Sequence, residues 1–180
     1  KITPRSFQTE AAEAWISEKR GVVTLPTGAG KTILAVMLIA RIGRPTLIHV
    51  PTIDLMGQWN AVLNEYFDIK IGLMGGGVND IQLITVATYD SALLHVPYRG
   101  DQFGLLVFDE CHHLPGEQFK FTALGSIAPF RLGLTATPER SDGKEKMLYE
   151  LCGPLCYETH IDELSGKTLA PYLVKTIEVE

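Results

Sequence analysis

Apolar positions along the chain switch between two rhythms, short continuous runs and stretches that recur every three to four residues. Residues 7–19 carry Phe7, Ala11, Ala14 and Trp15 on one face and predict a helix. GVVTL at 21–25 reads as a strand ended by Pro26, and 31–42 predicts an apolar helix stopped by Gly43 and Pro45. TLIHV at 46–50 is strand-like up to Pro51, 53–67 suits a helix, and 69–73 suits another strand. Gly75, Gly76 and Gly77, with Asn79 and Asp80, predict a flexible turn. Further strands are expected at 81–87, 105–108 and 132–134, and further helices at 89–94 and 144–151. The tail has strand-like pieces at 155–158 and 175–180 around a turn or helix at 161–169.

Strands separated by helix-length segments imply βαβ units: an α/β fold with a mostly parallel sheet and helices on both faces. Right-handed crossovers gather the loops beyond the carboxyl ends of such strands into one functional edge. No internal repeat or low-complexity tract interrupts the pattern. The closing strand-like run without a final cap leads us to expect that the native protein continues beyond it.

Composition narrows the function classes. With 46% hydrophobic residues and a net charge of −5, the chain is too apolar and too weakly charged for disorder. Its longest apolar run, 33–40, is too short to span a membrane, and the N-terminus lacks the apolar core of a secretory signal. Three cysteines, Cys111, Cys152 and Cys156, suit a reducing, intracellular compartment: cytoplasm in a prokaryote, nucleus in a eukaryote. Cys152 and Cys156 have no second pair to complete a zinc site, so no structural metal is expected. The acidic balance argues against a broad basic face for nucleic acid but leaves room for a local groove.

Two motifs carry chemistry. LPTGAGKT at 25–32 follows a predicted strand and opens a helix, the setting a phosphate loop requires. Gly28 and Gly30 let the backbone of Pro26, Thr27, Gly28, Ala29 and Gly30 curl so that N–H groups face an anion, reinforced by the helix N-terminus. Lys31 reaches the β- and γ-phosphates, and the Thr32 hydroxyl suits Mg²⁺. Leu25 stands where the strict pattern has glycine.

The second motif is LLVFDECHH. Four apolar residues run into Asp109 and Glu110, as in a buried parallel strand delivering acids at its carboxyl end. If that strand lies beside the phosphate-loop strand, Asp109 holds Mg²⁺ and Glu110 activates the attacking water. Lys31, Asp109 and Glu110 are thus the catalytic candidates, with Thr32 and Asp109 as metal ligands and ATP with Mg²⁺ as the cofactor. His112 and His113 lack partners at zinc-ligand spacing.

The motifs in order, 25–32, Asp109-Glu-Cys-His112 and Leu134-Thr-Ala-Thr-Pro138, resemble the superfamily 2 DExH helicases. Smaller matches lie at 4–8 (PRSFQ, the adenine-recognition segment), 51–59 (PTIDLMGQW, motif Ia) and 88–92 (TYDSA, motif Ib). Within the superfamily the wording is most similar to the XPB-type DNA repair helicases. That family has Arg-Glu-Asp where this chain reads Arg140-Ser141-Asp142.

The resemblance implies a RecA-like phosphate-loop NTPase fold and assigns further roles. Residues 1–153 would form the first lobe, and 154–180 would lead to an absent second lobe that supplies arginine fingers. Arg5 and Gln8 would recognise adenine, with Phe7 as a candidate aromatic frame. His112, Thr135 and Thr137 would couple hydrolysis to lobe closure. Pro51, Thr52, Gln58, Thr88 and Arg140 would contact DNA, with Tyr89 a further candidate, through hydroxyl, amide and backbone donors that ignore base identity. Trp59 reads more readily as core than as a contact. The implied activity is movement on, or opening of, double-stranded DNA in repair or transcription, with no membrane partner. Three rivals stay open: a restriction-type DNA translocase lobe, a phosphate-loop kinase of a small metabolite, and a nucleotide-binding module without turnover.

Overall fold

A computed structural model of the chain describes residues 2–136 and 145–160. Among these residues, eight strands form one sheet in the order β4-β3-β5-β2-β6-β7-β1-β8. They are β1 (Arg20–Thr24), β2 (Thr46–Val50), β3 (Gly72–Gly75), β4 (Val78–Asp80), β5 (Ile84–Thr88), β6 (Leu105–Asp109), β7 (Phe130–Thr135) and β8 (Leu155–Glu158). Every pairing is parallel except β3 with β4. The α/β class and the helix-covered parallel sheet expected from the apolar rhythm are therefore present.

Helices cover both faces because central-strand side chains alternate between two apolar cores. On one face lie α1 (Ser6–Glu18), α2 (Lys31–Ile42) and α3 (Ile53–Tyr66), packed on Leu105, Val107, Leu132 and Leu134. On the other lie α4 (Tyr89–Arg99), α5 (Lys120–Leu124) and α6 (Glu145–Cys152), packed on Leu47, Leu106 and Phe108. Each fully buried Leu or Phe contributes roughly 1.5–3 kcal/mol, so both faces hold the sheet flat against its helices. The buried Trp15 also satisfies its indole N–H, donating to the Arg131 carbonyl at 2.9 Å.

Four local expectations are corrected. A two-residue turn at Gly76 and Gly77 closes an antiparallel hairpin, so Gly75 ends β3, and Asn79 and Asp80 belong to β4 rather than to a flexible loop. The strand expected at 69–73 begins only at Gly72, because Ile69 is solvent-exposed. The helix expected at 89–94 runs on through Pro97 to Arg99, the proline giving up one i→i−4 hydrogen bond with only two helical residues left after it. Finally, β6 does not lie beside β1: β7 runs between them. Register across the three strands aligns Asp109 with Leu134 and Thr135 with Thr24, which puts Thr135 between the acid pair and the phosphate loop. The tail pieces expected at 161–169 and 175–180 lie outside the described residues.

Candidate active site

The carboxyl ends of β1, β6 and β7 meet at one edge. Strand β1 ends at Thr24, and the chain turns through Leu25–Gly30 before α2 starts at Lys31. Gly28 (φ 79°) and Gly30 (φ 86°) take the left-handed conformation that turns successive N–H groups inward. Nothing lies within 4 Å of where a Cβ on Gly28 would stand, whereas one on Gly30 would meet Gln8 Nε2 at 2.5 Å. Leu25, the departure from the strict motif, is fully buried, and its backbone N–H bonds the Thr135 carbonyl at 3.0 Å. The side chain there anchors the loop in the core and leaves the anion-facing turn to the residues after it.

The predicted adenine segment docks directly on this loop. The Gln8 amide donates to the carbonyls of Ala29 (3.2 Å) and Gly30 (3.3 Å), and its oxygen accepts from the Arg5 backbone N–H at 3.0 Å. A cleft of about 240 Å³ opens here, lined by Arg5, Gln8, Gly28, Gly30, Ile33 and Tyr66. The aromatic ring on this cleft is Tyr66, not Phe7, which is buried in the core beneath α1. Position alone could not separate the two rings, because Tyr66 enters the cleft from the far end of α3.

Lys31 Nζ lies 3.3 Å from the Leu25 carbonyl, and its charge acts on the Asp109 carboxylate. Asp109 is only 7% exposed. Its Oδ2 accepts from Trp59 Nε1 at 2.8 Å, its Oδ1 accepts from the Glu110 N–H at 3.1 Å, and its carbonyl accepts from the Tyr89 hydroxyl at 3.0 Å. Burial pushes its carboxyl pKa up, opposed first by the Trp59 donor and more weakly by Lys31. Glu110 follows in left-handed backbone conformation (φ 48°), uncommon for a residue with a side chain and characteristic of constrained sites.

Beyond the acids, Cys111–His113 form a 3₁₀ turn. His112 Nδ1 faces two oxygens, Thr135 Oγ1 at 3.1 Å and Glu110 Oε2 at 3.4 Å. Thr137 and Arg140 lie outside the described residues.

The remaining candidates sit on the neighbouring half of the edge. Strands β2 and β5 pair side by side, Val50 opposite Thr88, and run into α3 and α4. Thr52 caps α3 by accepting from the Leu55 N–H at 3.2 Å; it is exposed, as is Gln58, and Pro51 is half-buried. Thr88 caps α4, accepting from Ser91 N–H, and is buried. Tyr89 is almost fully buried, so it is not an exposed contact. Trp59 is core, as expected, and also a ligand of the acid pair. Sequence reasoning missed that second role, although a buried indole N–H always requires an acceptor.

The residues present fit a magnesium nucleotide. Thr32 and Asp109 offer the hard oxygen donors that magnesium takes, each carboxylate oxygen keeping a lone pair beyond its N–H partner. The open space over Gly28 leaves backbone N–H groups accessible to phosphate. The sheet order, with its loop and acids gathered at the carboxyl edge, makes this a RecA-like phosphate-loop NTPase domain.

Residues 1–140 match the family described as Type III restriction enzyme, res subunit, and the chain belongs to that family. It is similar to the DNA 3'-5' translocase XPB2 of Sulfurisphaera tokodaii, at 48% identity over 99% of this chain and 41% of that protein. It is also similar to the DNA 3'-5' helicase XPB of Mycobacterium tuberculosis, at 35% identity over 86% of this chain and 30% of that one. The chain thus spans well under half the length of either relative. Among solved structures, the UvsW helicase from bacteriophage T4 shares the fold, with a TM-score of 0.78 at 22% identity, covering 87% of this chain and 61% of that one.

Proposed function

We propose that this chain is the nucleotide-binding first lobe of an XPB-type superfamily 2 enzyme that uses ATP hydrolysis to move along or open double-stranded DNA. One observation carries the reading: β7 runs between β1 and β6, pairing Thr135 with Thr24 and Leu134 with Asp109, so the phosphate loop and the acid pair leave the same edge of the sheet. The similarity to proteins named DNA 3'-5' translocase and helicase supports the DNA substrate. A place in DNA repair or transcription follows from the XPB likeness. An intracellular location fits such a role; among the described residues no helix is long and apolar enough to cross a membrane.

In this reading the N–H groups of residues 27–31 hold the phosphate chain, and the Lys31 ammonium offsets charge on its β- and γ-oxygens. Arg5 and Gln8 hold the adenine edge, with Tyr66 beside it. Magnesium, held by Thr32 and Asp109, would neutralise charge that builds on the phosphate oxygens. Glu110 orients the attacking water and accepts its proton as the bond from the γ-phosphorus to the leaving ADP oxygen breaks. His112 and Thr135, with Thr137, relay the loss of the γ-phosphate. Pro51, Thr52, Gln58 and Thr88, with Arg140, contact the DNA backbone. Residues 1–153 constitute the lobe, and 154–180 lead towards a second RecA-like lobe that completes the site with arginines.

Glu110→Gln tests this in the full-length protein. The amide keeps the size of the side chain but cannot take a proton, so ATP hydrolysis should fall by roughly a hundredfold or more. Binding of ATP and of duplex DNA should persist. Undiminished turnover would remove Glu110 from the chemistry and the motor reading with it. Phosphate transfer to a small metabolite, insensitive to DNA, would favour a kinase.

A further inference from the structure

Asp109 is gripped from both faces of the sheet. Trp59 reaches its carboxylate from the core under α3, and Tyr89 reaches its carbonyl from the core under α4. Both rings are buried, 2% and 1% exposed, so neither can shift without its helix. Trp59 lies two turns, about 10 Å, along α3 from the Thr52 cap. Tyr89 is the first residue of α4, immediately after the Thr88 cap.

The two bonds act on different atoms. The Trp59 N–H fixes one oxygen of the carboxylate. The Tyr89 hydroxyl fixes the carbonyl of the Asp109–Glu110 peptide, whose plane sets the direction in which Glu110 leaves its left-handed backbone. Both helices start on the half of the edge assigned to DNA, yet both deliver their aromatic donor to the half assigned to ATP. We propose that Trp59 and Tyr89 are positioning residues through which DNA engaged at the N-termini of α3 and α4 sets the geometry of Asp109 and Glu110. The proposal rests on the functional reading above. A small rigid-body shift of either helix would move a donor relative to the acids, because packed cores transmit displacement rather than absorb it.

Linkage gives the test, since any effect of DNA on the nucleotide site must appear equally as an effect of nucleotide on DNA affinity. In the full-length protein, the Kd of a fluorescein-labelled duplex is measured by anisotropy with and without magnesium and AMP-PNP. Tyr89→Phe and Trp59→Phe each remove one donor, the first without changing the ring. Val96→Ala loosens the buried face of α4 without touching Asp109. The nucleotide-dependent change in duplex Kd should shrink about fivefold or more in both aromatic variants and persist in Val96→Ala. In parallel, DNA-stimulated kcat should fall about tenfold with KM for ATP nearly constant, a split that general loosening would not produce.

Retention of the wild-type change by either aromatic variant, or its loss in Val96→Ala, overturns the proposal. Should Trp59→Phe fail to fold, Tyr89→Phe decides alone. A wild-type protein with no nucleotide-dependent change would overturn the functional reading itself, and this route with it.

Discussion

The two halves of the carboxyl edge are built differently. Where β1, β6 and β7 end, strands hand over directly to reactive groups: the phosphate loop, Asp109 with Glu110, and Thr135. Where β2 and β5 end, the chain passes at once into threonine-capped helices whose first turns carry Asp54 and Asp90 on α3 and α4 rather than an acid at the strand end itself. The first half binds charge through strained backbone and buried carboxylate. The second offers ordinary capped helices and exerts its influence at a distance, through Trp59 and Tyr89. On the first side a residue with a side chain, Glu110, is held in left-handed backbone, while on the second side the left-handed positions near α3 and β5 are glycines, which adopt that conformation without strain.

Three variants break or sharpen this contrast. The largest effect belongs to Lys31→Ala, which removes the cation that addresses both loop and acids. The Kd for ATP should rise roughly a thousandfold, about 4 kcal/mol, with duplex binding in the absence of nucleotide preserved. Equal loss of both ligands, by calorimetry and anisotropy, would show that the halves do not separate.

Next is a pH effect beneath the second half. His49 on β2 is fully buried, stacked 4.5 Å from Phe108, with Nδ1 at 3.1 Å from the Val107 carbonyl. Its Nε2 has no hydrogen-bond partner. Burial pulls its pKa down to about 4, only partly opposed by the Val107 carbonyl. The unfolded chain takes up a proton from pH 6.5 downward that the fold refuses until near pH 4. Stability therefore falls with pH across that window, by up to about 3 kcal/mol. Asp109, whose pKa is raised, works with the opposite sign, and it is common to both proteins compared. Urea midpoints at pH 7 and pH 4.5 should diverge less in His49→Leu than in wild type; equal slopes would locate the effect elsewhere.

The smallest is Thr52→Ala, which loses the α3 cap. It should cost about 1 kcal/mol in urea unfolding and weaken duplex binding, with ATP affinity unchanged. A matching loss of ATP affinity would erase the division.

Legibility in the sequence follows the same division. Helix α2 and strand β2 have the predicted ends because Gly43, Pro45 and Pro51 punctuate them. The phosphate loop and acids were readable because their chemistry is local in sequence. Strand β4 was not, since three largely exposed residues on a sheet edge carry no alternation to detect. Nor was the five-residue α5, too short for a helical period. The grip of Trp59 on Asp109 spans fifty positions, and only tertiary packing brings an indole to a particular carboxylate. The placing of Tyr66 rather than Phe7 at the cleft has the same origin: both rings fit helical faces, and the fold chooses which one turns outward.

His112 has one nitrogen shared between a hydroxyl and a carboxylate. With hydrogen on Nδ1 the ring serves Glu110 or Thr135 as a donor. With hydrogen moved to Nε2, the bare Nδ1 accepts from Thr135 and offers Glu110 only a repelling lone pair. A change of tautomer, requiring no movement of any heavy atom, would thus unhook the acid beside the nucleotide from its neighbour.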